Sequence, residues 1–185
     1  MIWPVPTPYA DRVARLRVPG GFVLVAAFAW FSRPTLPSLA WSFPVSLAGL
    51  LLRGWAAGCL AKDRDLATAG PYAYTRNPLY LGTLLAAAGL ATASRRASLA
   101  ALFAAVFALI YLPVIQLEEQ HLRKLFPEYA NYAAAVPALW PRFPGGSQRQ
   151  PQAGFQWRQY RRNREYQAAA GFAAGMLFLL WKALR

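Results

Sequence analysis

Apolar residues along this chain fall into long blocks separated by short polar stretches rich in arginine. A bilayer core of about 30 Å needs about 20 apolar residues as helix. Blocks at 18–40, 43–61, 78–93, 99–117 and 168–181 predict an all-α integral membrane protein with about five transmembrane helices. The first block is most apolar over 21–31, and Pro34 and Pro37 bend or end it. Pro113 should kink the fourth. The third and fifth blocks are short, so counts of four and five both stand. Lys182 and Arg185 would snorkel at the end of the fifth. Residues 1–17 carry Pro4, Pro6, Pro8 and three arginines with no apolar stretch of signal-peptide length. The first span is therefore expected to direct insertion itself.

Composition agrees with this pattern. Of 185 residues, 57% are apolar and 15% charged, against about 45–50% and about 25% in soluble domains. Mean hydropathy is +0.24. Disorder and coiled coil are excluded, and a soluble globular domain is disfavoured. The net charge of +13 would ordinarily raise nucleic acid as a partner. Here the basic residues flank apolar blocks, which suits anionic membrane lipids instead. The single cysteine, Cys59, excludes an internal disulfide, and one histidine, His121, argues against a His-based metal site. No metal is expected.

Loop charge sets the expected orientation. The N-terminal arm, the second loop and residues 118–167 together hold fourteen Lys and Arg, and the opposite side holds five. The richer side should face the cytoplasm, in a prokaryotic inner membrane. All seven acidic residues fall on that side, so any chemistry is expected there.

Two segments on that side can carry chemistry. The first runs Gly70-Pro71-Tyr72-Ala73-Tyr74-Thr75-Arg76-Asn77-Pro78-Leu79-Tyr80-Leu81-Gly82. Asn is a favoured N-cap, and Pro at the first helical position loses no needed donor. A helix should therefore start at Pro78, its positive end beside Arg76, forming a place for a carboxylate or phosphate. A plain capped helix with Tyr72, Tyr74 and Tyr80 as an interfacial aromatic belt explains the same residues. The second segment holds Glu118-Glu119, followed by Phe126, Tyr129, Tyr132 and Val136-Pro137. Two carboxylates near a helix C-terminus add negative charge to negative potential, a cost that a bound cation would offset. An i,i+4 pair of Glu119 with Arg123 is worth only about 0.2–0.5 kcal/mol. An anion site and a cation site on one face would suit S-adenosylmethionine, which carries a carboxylate, an ammonium and a sulfonium.

These two motifs, in this order, resemble the isoprenylcysteine carboxyl methyltransferase family, whose wider group includes membrane phospholipid N-methyltransferases. The family pattern is Arg-His-Pro-x-Tyr-x-Gly, then a Glu-Glu pair, then an aromatic segment ending near proline. The resemblance covers residues 53–141. It implies a helical membrane enzyme that binds S-adenosylmethionine in a cytoplasmic-face pocket and methylates a lipophilic acceptor held in the membrane. Tyr72, Tyr74, Arg76, Asn77, Tyr80 and Gly82 match the first motif as cofactor-binding residues. Glu118 and Glu119 match the carboxylate pair expected at the cofactor's amino end, and Tyr129 and Tyr132 the aromatic segment. Arg76 and Glu119 take the catalytic roles. Asn77 stands where the family usually has His, and Ala138 where many members have Arg, with Arg142 nearby as a substitute.

The acceptor implied is a carboxylate of the isoprenylcysteine type, which is already ionised and needs no general base. A phospholipid amine would need to lose a proton, to His121 or a Glu. A silent lipid-binding protein that keeps only the helical core is the third reading. Arg53, a charge inside a span, marks a function by default. It reads as steering an anionic acceptor headgroup, as snorkelling, or as pairing with Asp63 or Asp65 if the chain folds back. Gly54-x-x-x-Gly58 and Gly171-x-x-x-Gly175 allow close helix approach. Residues 1–144 are expected to form the methyltransferase core. Residues 145–185 then hold the rest: a linker over 141–154, a basic aromatic interfacial segment over 155–167 and the last span. Oligomeric state stays open.

Overall fold

The computed structural model describes residues 7–62, 64–142 and 154–185. Asp63 and most of the predicted linker lie outside them. Every regular element among the described residues is helical: α1 (Thr7–Phe31), α2 (Leu36–Cys59), a 3₁₀ turn (Gly70–Ala73), α3 (Pro78–Ser94), α4 (Ala97–Val106), a π-helical turn (Phe107–Tyr111), α5 (Leu112–Leu125), α6 (Tyr129–Ala135), α7 (Trp157–Arg162) and α8 (Tyr166–Ala183).

Five apolar blocks thus become helices, with two boundaries moved. The first block breaks at Phe31, and α2 starts at Leu36 and runs through Pro44. The start is fixed by a reciprocal cap: Thr35 N–H donates to Ser38 Oγ at 3.0 Å, and Ser38 N–H to Thr35 Oγ1 at 3.4 Å. That is the capping-box arrangement with Ser in the acidic position. The fourth block extends without a break over Ala97–Leu125.

Two helices, Leu36–Cys59 and Ala97–Leu125, are long and apolar enough to cross a membrane, while Val18–Phe31 and Pro78–Ser94 are apolar but shorter. Only 22% and 28% of the two long apolar windows is buried, where the core helix of a soluble domain would be mostly covered. Trp30, Trp41 and Phe22 are among the large side chains left open, at 81%, 80% and 72% exposure. Apolar surface on this scale needs a non-aqueous cover.

The chain divides into two compact units. One comprises residues up to Ser46, Ala87–His121 and Ala174–Arg185; the other comprises Leu47–Ala86 and Leu122–Ala173. In the first unit Leu39, Ala93 and Leu179 form a buried cluster with Leu90, Met176 and Ala183 around it. Glycine sets the approach of α3 to α2 here: a Cβ on Gly89 would collide with Ser46 Oγ and the backbone at Ser42. The π-helical turn precedes Pro113, which cannot donate to the carbonyl of Leu109 four residues back. Tyr9 Oη–H donates to that carbonyl instead, at 3.0 Å. Lys182 does not snorkel to solvent. Its ammonium donates to Ala29 O at 2.8 Å and Trp30 O at 2.9 Å, at the carbonyl end of α1, where a cation opposes the helix dipole. The Arg185 guanidinium lies 4.0 Å over the Trp181 ring.

In the second unit Ala56, Ala57, Tyr72, Tyr80, Leu81 and Tyr129 are buried. Gly49 and Gly82 face each other across α2 and α3, and a Cβ on either would strike backbone of the other helix. By contrast, Gly171 in this unit and Gly175 in the first face open space, and among the described residues nothing packs on either. Asn163 Nδ2 donates to Ala57 O and Leu60 O at 2.8 and 3.0 Å, capping α2.

Candidate functional site

The segment after α2 returns through a turn that only glycine makes easily. Gly70 has φ +61, and a Cβ there would press on Cys59 Sγ and Trp55 Nε1. Pro71 and Tyr72 follow as buried residues of the 3₁₀ turn. The chain then extends through Thr75, Arg76 and Asn77 into α3, whose first residue is Pro78. Asn77 occupies the expected cap position, and its carbonyl accepts the helix bond from Leu81 N–H at 3.0 Å.

A second stretch, residues 132–142, closes on this loop by hydrogen bonds at nearly every residue. Tyr132 Oη–H donates to Tyr72 O at 2.7 Å. Arg76 N–H donates to Pro137 O at 2.9 Å, and Arg142 N–H to Tyr74 O at 2.9 Å. The Thr75 hydroxyl lies 3.1 Å from both Ala138 O and Leu139 O. Asn77 Nδ2 donates to Ala138 O at 3.0 Å. Arg76 Nη1 donates to Ala133 O at 2.8 Å, a carbonyl in the last turn of α6 where a cation is favoured.

The first sequence motif and the aromatic segment are therefore one structure. Tyr72, Tyr74, Arg76, Asn77, Tyr80, Gly82, Tyr129 and Tyr132 all belong to the second unit. Tyr129 is fully buried, meets Tyr132 edge-on at 5.9 Å, and carries the Arg123 guanidinium 5.4 Å over its ring. Glu118 and Glu119 stand in the middle of α5, which continues to Leu125, so the helix end expected beside them lies farther along the chain; they belong to the first unit, Glu118 exposed and Glu119 half-buried. Ala138 contributes its carbonyl, which accepts from Thr75 and Asn77. The Arg142 side chain is exposed.

Arg53 has a partner that sequence reading missed. Its Nε lies 2.5 Å from Glu165 Oε1 and its Nη2 3.1 Å from Oε2, a two-pronged ion pair. Nη1 also donates to Thr83 Oγ1 and to Leu79 O. Neither snorkelling nor pairing with Asp65 describes it, and Asp63 lies outside the described residues. Glu165 is 8% exposed and the Arg53 side chain 23%, so the pair is a part-buried one that ties α2, α3 and the α7–α8 junction. Glu165 stands 112 residues from Arg53, and no local pattern announces such a partner. Gly82, assigned to the cofactor by resemblance, lies against Gly49 and Arg53 as a packing residue.

Residues 45–129 match the phospholipid methyltransferase family, part of the isoprenylcysteine carboxyl methyltransferase-like group. The chain is 37% identical over 140 residues to the cobalt-zinc-cadmium resistance protein CzcN of Cupriavidus metallidurans, a match covering 71% of this chain and 64% of that protein. It is 41% identical over 81 residues to the nickel-cobalt-cadmium resistance protein NccN of Alcaligenes xylosoxydans xylosoxydans, covering 44% of this chain and 38% of that one. It thus spans less than two thirds of either relative. No solved structure matches it. The matched domain includes Arg53, the Tyr72–Gly82 motif, Glu118 and Glu119, and stops short of Tyr132, Ala138 and Glu165.

Proposed function

We infer that this chain is an S-adenosylmethionine-dependent methyltransferase of the inner membrane, acting from the cytoplasmic face on a lipophilic acceptor. The observation that carries this reading is the methyltransferase domain over residues 45–129, whose motif loop is the polar centre of the second unit.

The chemistry of the donor set fits the cofactor. Within the second unit, Arg76 and the N–H groups at the start of α3 suit its carboxylate, and the half-buried Tyr132 offers aromatic surface for a nucleobase; Glu118 and Glu119, in the first unit, carry the charge that the resemblance assigns to its amino end. When bound, S-adenosylmethionine supplies the methyl group. The chain's own task is positional: residues 132–142 pin the Tyr72–Asn77 backbone, so the donors at the head of α3 are fixed before any ligand arrives. The apolar surround excludes water. A carboxylate acceptor of the isoprenylcysteine type asks for no proton transfer. The family's description favours a second acceptor, a phospholipid amine, for which His121 or Glu119 would take the proton. The names of the relatives favour a setting in heavy-metal resistance, with a membrane component as the methylated species.

Cofactor binding tests the reading. Isothermal titration of the purified chain with S-adenosylmethionine should give saturable binding, weakened about tenfold or more in Glu118→Gln and in Glu119→Gln, with helical content unchanged. Binding unaltered in both variants would remove the acidic pair from the site. No binding by the wild-type chain would favour the silent lipid-binding protein.

A further inference from the structure

We propose that the second unit carries a separate binding site for a phosphate-bearing anion, in the cavity between the end of α2 and α7. This cavity has a volume of about 410 Å³ and is walled by Gly58 and Cys59 at the end of α2, by Ala61 and residues 64–69, and by Gly154 and polar residues at the head and along α7. Ligand cavities run from about 300 Å³ upward, so the space suits a phosphate together with the organic group that bears it. Neither Arg76 nor any tyrosine of the methyltransferase motif lines it.

Its charge is one-sided. Among the described residues, Arg64, Arg158 and Arg162 line it with Asp65 as the single carboxylate, and Gln156 and Gln159 add amide donors. Among the described residues, none of these three arginines is in an ion pair, and Glu165 of the same unit is held by Arg53. Three guanidiniums around one cleft raise the local positive potential and concentrate anions. The planar guanidinium fork fits two oxygens of a phosphate at once, which makes arginine the residue for this ligand class.

The frame behind the arginines is also fixed. Gln156 N–H donates to Gly58 O at 3.0 Å, and Asn163 holds the two carbonyls at the end of α2. The Phe155 ring occupies the space that a Cβ on Gly58 would need, and it packs edge-on against Trp157 at 5.2 Å. The α7 arginines thus stand on a segment anchored at both ends, so little ordering is left for a ligand to impose.

The same headgroup chemistry reaches the site from a phospholipid or from a soluble phosphate ester, and two probes separate them. The full chain in neutral detergent is titrated with glycerol 3-phosphate and with short-chain phosphatidic acid. Saturable binding of at least one probe is expected. Arg64→Gln/Arg158→Gln/Arg162→Gln should weaken it about tenfold or more. The triple Arg95→Gln/Arg96→Gln/Arg185→Gln, with equal loss of charge, should leave it within about twofold. Binding of phosphatidic acid alone assigns the lipid source, and binding of glycerol 3-phosphate with it assigns the phosphate group itself. Should the first triple lose its helical signal, Asp65→Asn carries the test, with binding expected to tighten about twofold to threefold. No binding of either probe, equal loss in both triples, or no change in Asp65→Asn would overturn the site. None of these readouts depends on methyl transfer.

Discussion

Lys182 in the first unit and Arg53 in the second are both cations set among apolar helices, and they are satisfied by different means. Lys182 reaches the carbonyls that α1 leaves open at its end, where the helix already concentrates negative charge. Arg53 sits inside α2, where the backbone carbonyls are taken up by the helix. It takes a carboxylate from far along the chain, Glu165, and fills its remaining donor with Thr83 and Leu79 O. A cation at a helix end can be met by what the helix leaves over, whereas one in mid-helix needs a counter-charge delivered to it. That delivery places residues around Glu165 in one unit with the methyltransferase motif.

Removing either half of the Arg53–Glu165 pair should therefore cost most. Glu165→Ala is expected to lower stability by about 3 kcal/mol, since it leaves a guanidinium without its carboxylate. Arg53→Met/Glu165→Met should lose clearly less than the sum of the two single changes, measured as a double-mutant cycle by denaturant titration in detergent. Additive losses would mean that the pair is not coupled.

Glycine substitution sharpens the contrast between packed and open helix faces. Gly49→Ala and Gly82→Ala should each cost about 1–3 kcal/mol, because the added methyl meets backbone. Gly171→Ala and Gly175→Ala should be neutral, or stabilising by up to about 1 kcal/mol from helix propensity. Melting temperatures of the four variants decide it, and equal losses at both pairs would refute the assignment.

Lys182→Met should cost about 1–2 kcal/mol through the freed carbonyls of α1, less than the loss at Glu165. A loss as large as that of Glu165→Ala would erase the distinction between the two cations. The smallest loss among the hydrogen-bond deletions is expected at Tyr9→Phe, about 1 kcal/mol from the lost bond to Leu109 O. That cost should shrink in a Pro113→Ala background, where an amide donor returns to the helix.

What the sequence made legible was whatever is local. The Asn77-Pro78 helix start is read from two adjacent residues, and the structure begins α3 at Pro78. The apolar blocks are read from consecutive residues and become helices. Pro34 and Pro37 read as bending or ending the first block, whereas the break falls after Phe31 and α2 starts at Leu36, capped by Thr35 and Ser38, and continues through Pro44. Gly54-x-x-x-Gly58 read as a close-packing pair and does take close neighbours, Tyr160 and Phe155, whereas Gly49, Gly82 and Gly89, which set the approach of α2 and α3, carry no such spacing. Their pairing depends on the register of two helices, which neither helix states alone. Glu165 for Arg53, Ala138 O for Asn77 and the α1 carbonyls for Lys182 are likewise choices made by the folded chain. Of the candidate site, the motif residues were visible as a pattern, while the carbonyls of residues 133–139 that hold them were not, because a backbone acceptor leaves no mark in sequence.

The central claim is methyl transfer to a membrane-held acceptor, and labelled methyl groups test it most directly. Membranes containing the full chain are incubated with methyl-labelled S-adenosylmethionine and extracted into organic solvent. The account predicts label in an extractable lipophilic product, reduced at least about tenfold by Glu119→Gln in a chain that still folds. Extracts no more labelled than those from membranes lacking the protein, across lipids of several headgroups and prenylated carboxylates, would contradict it.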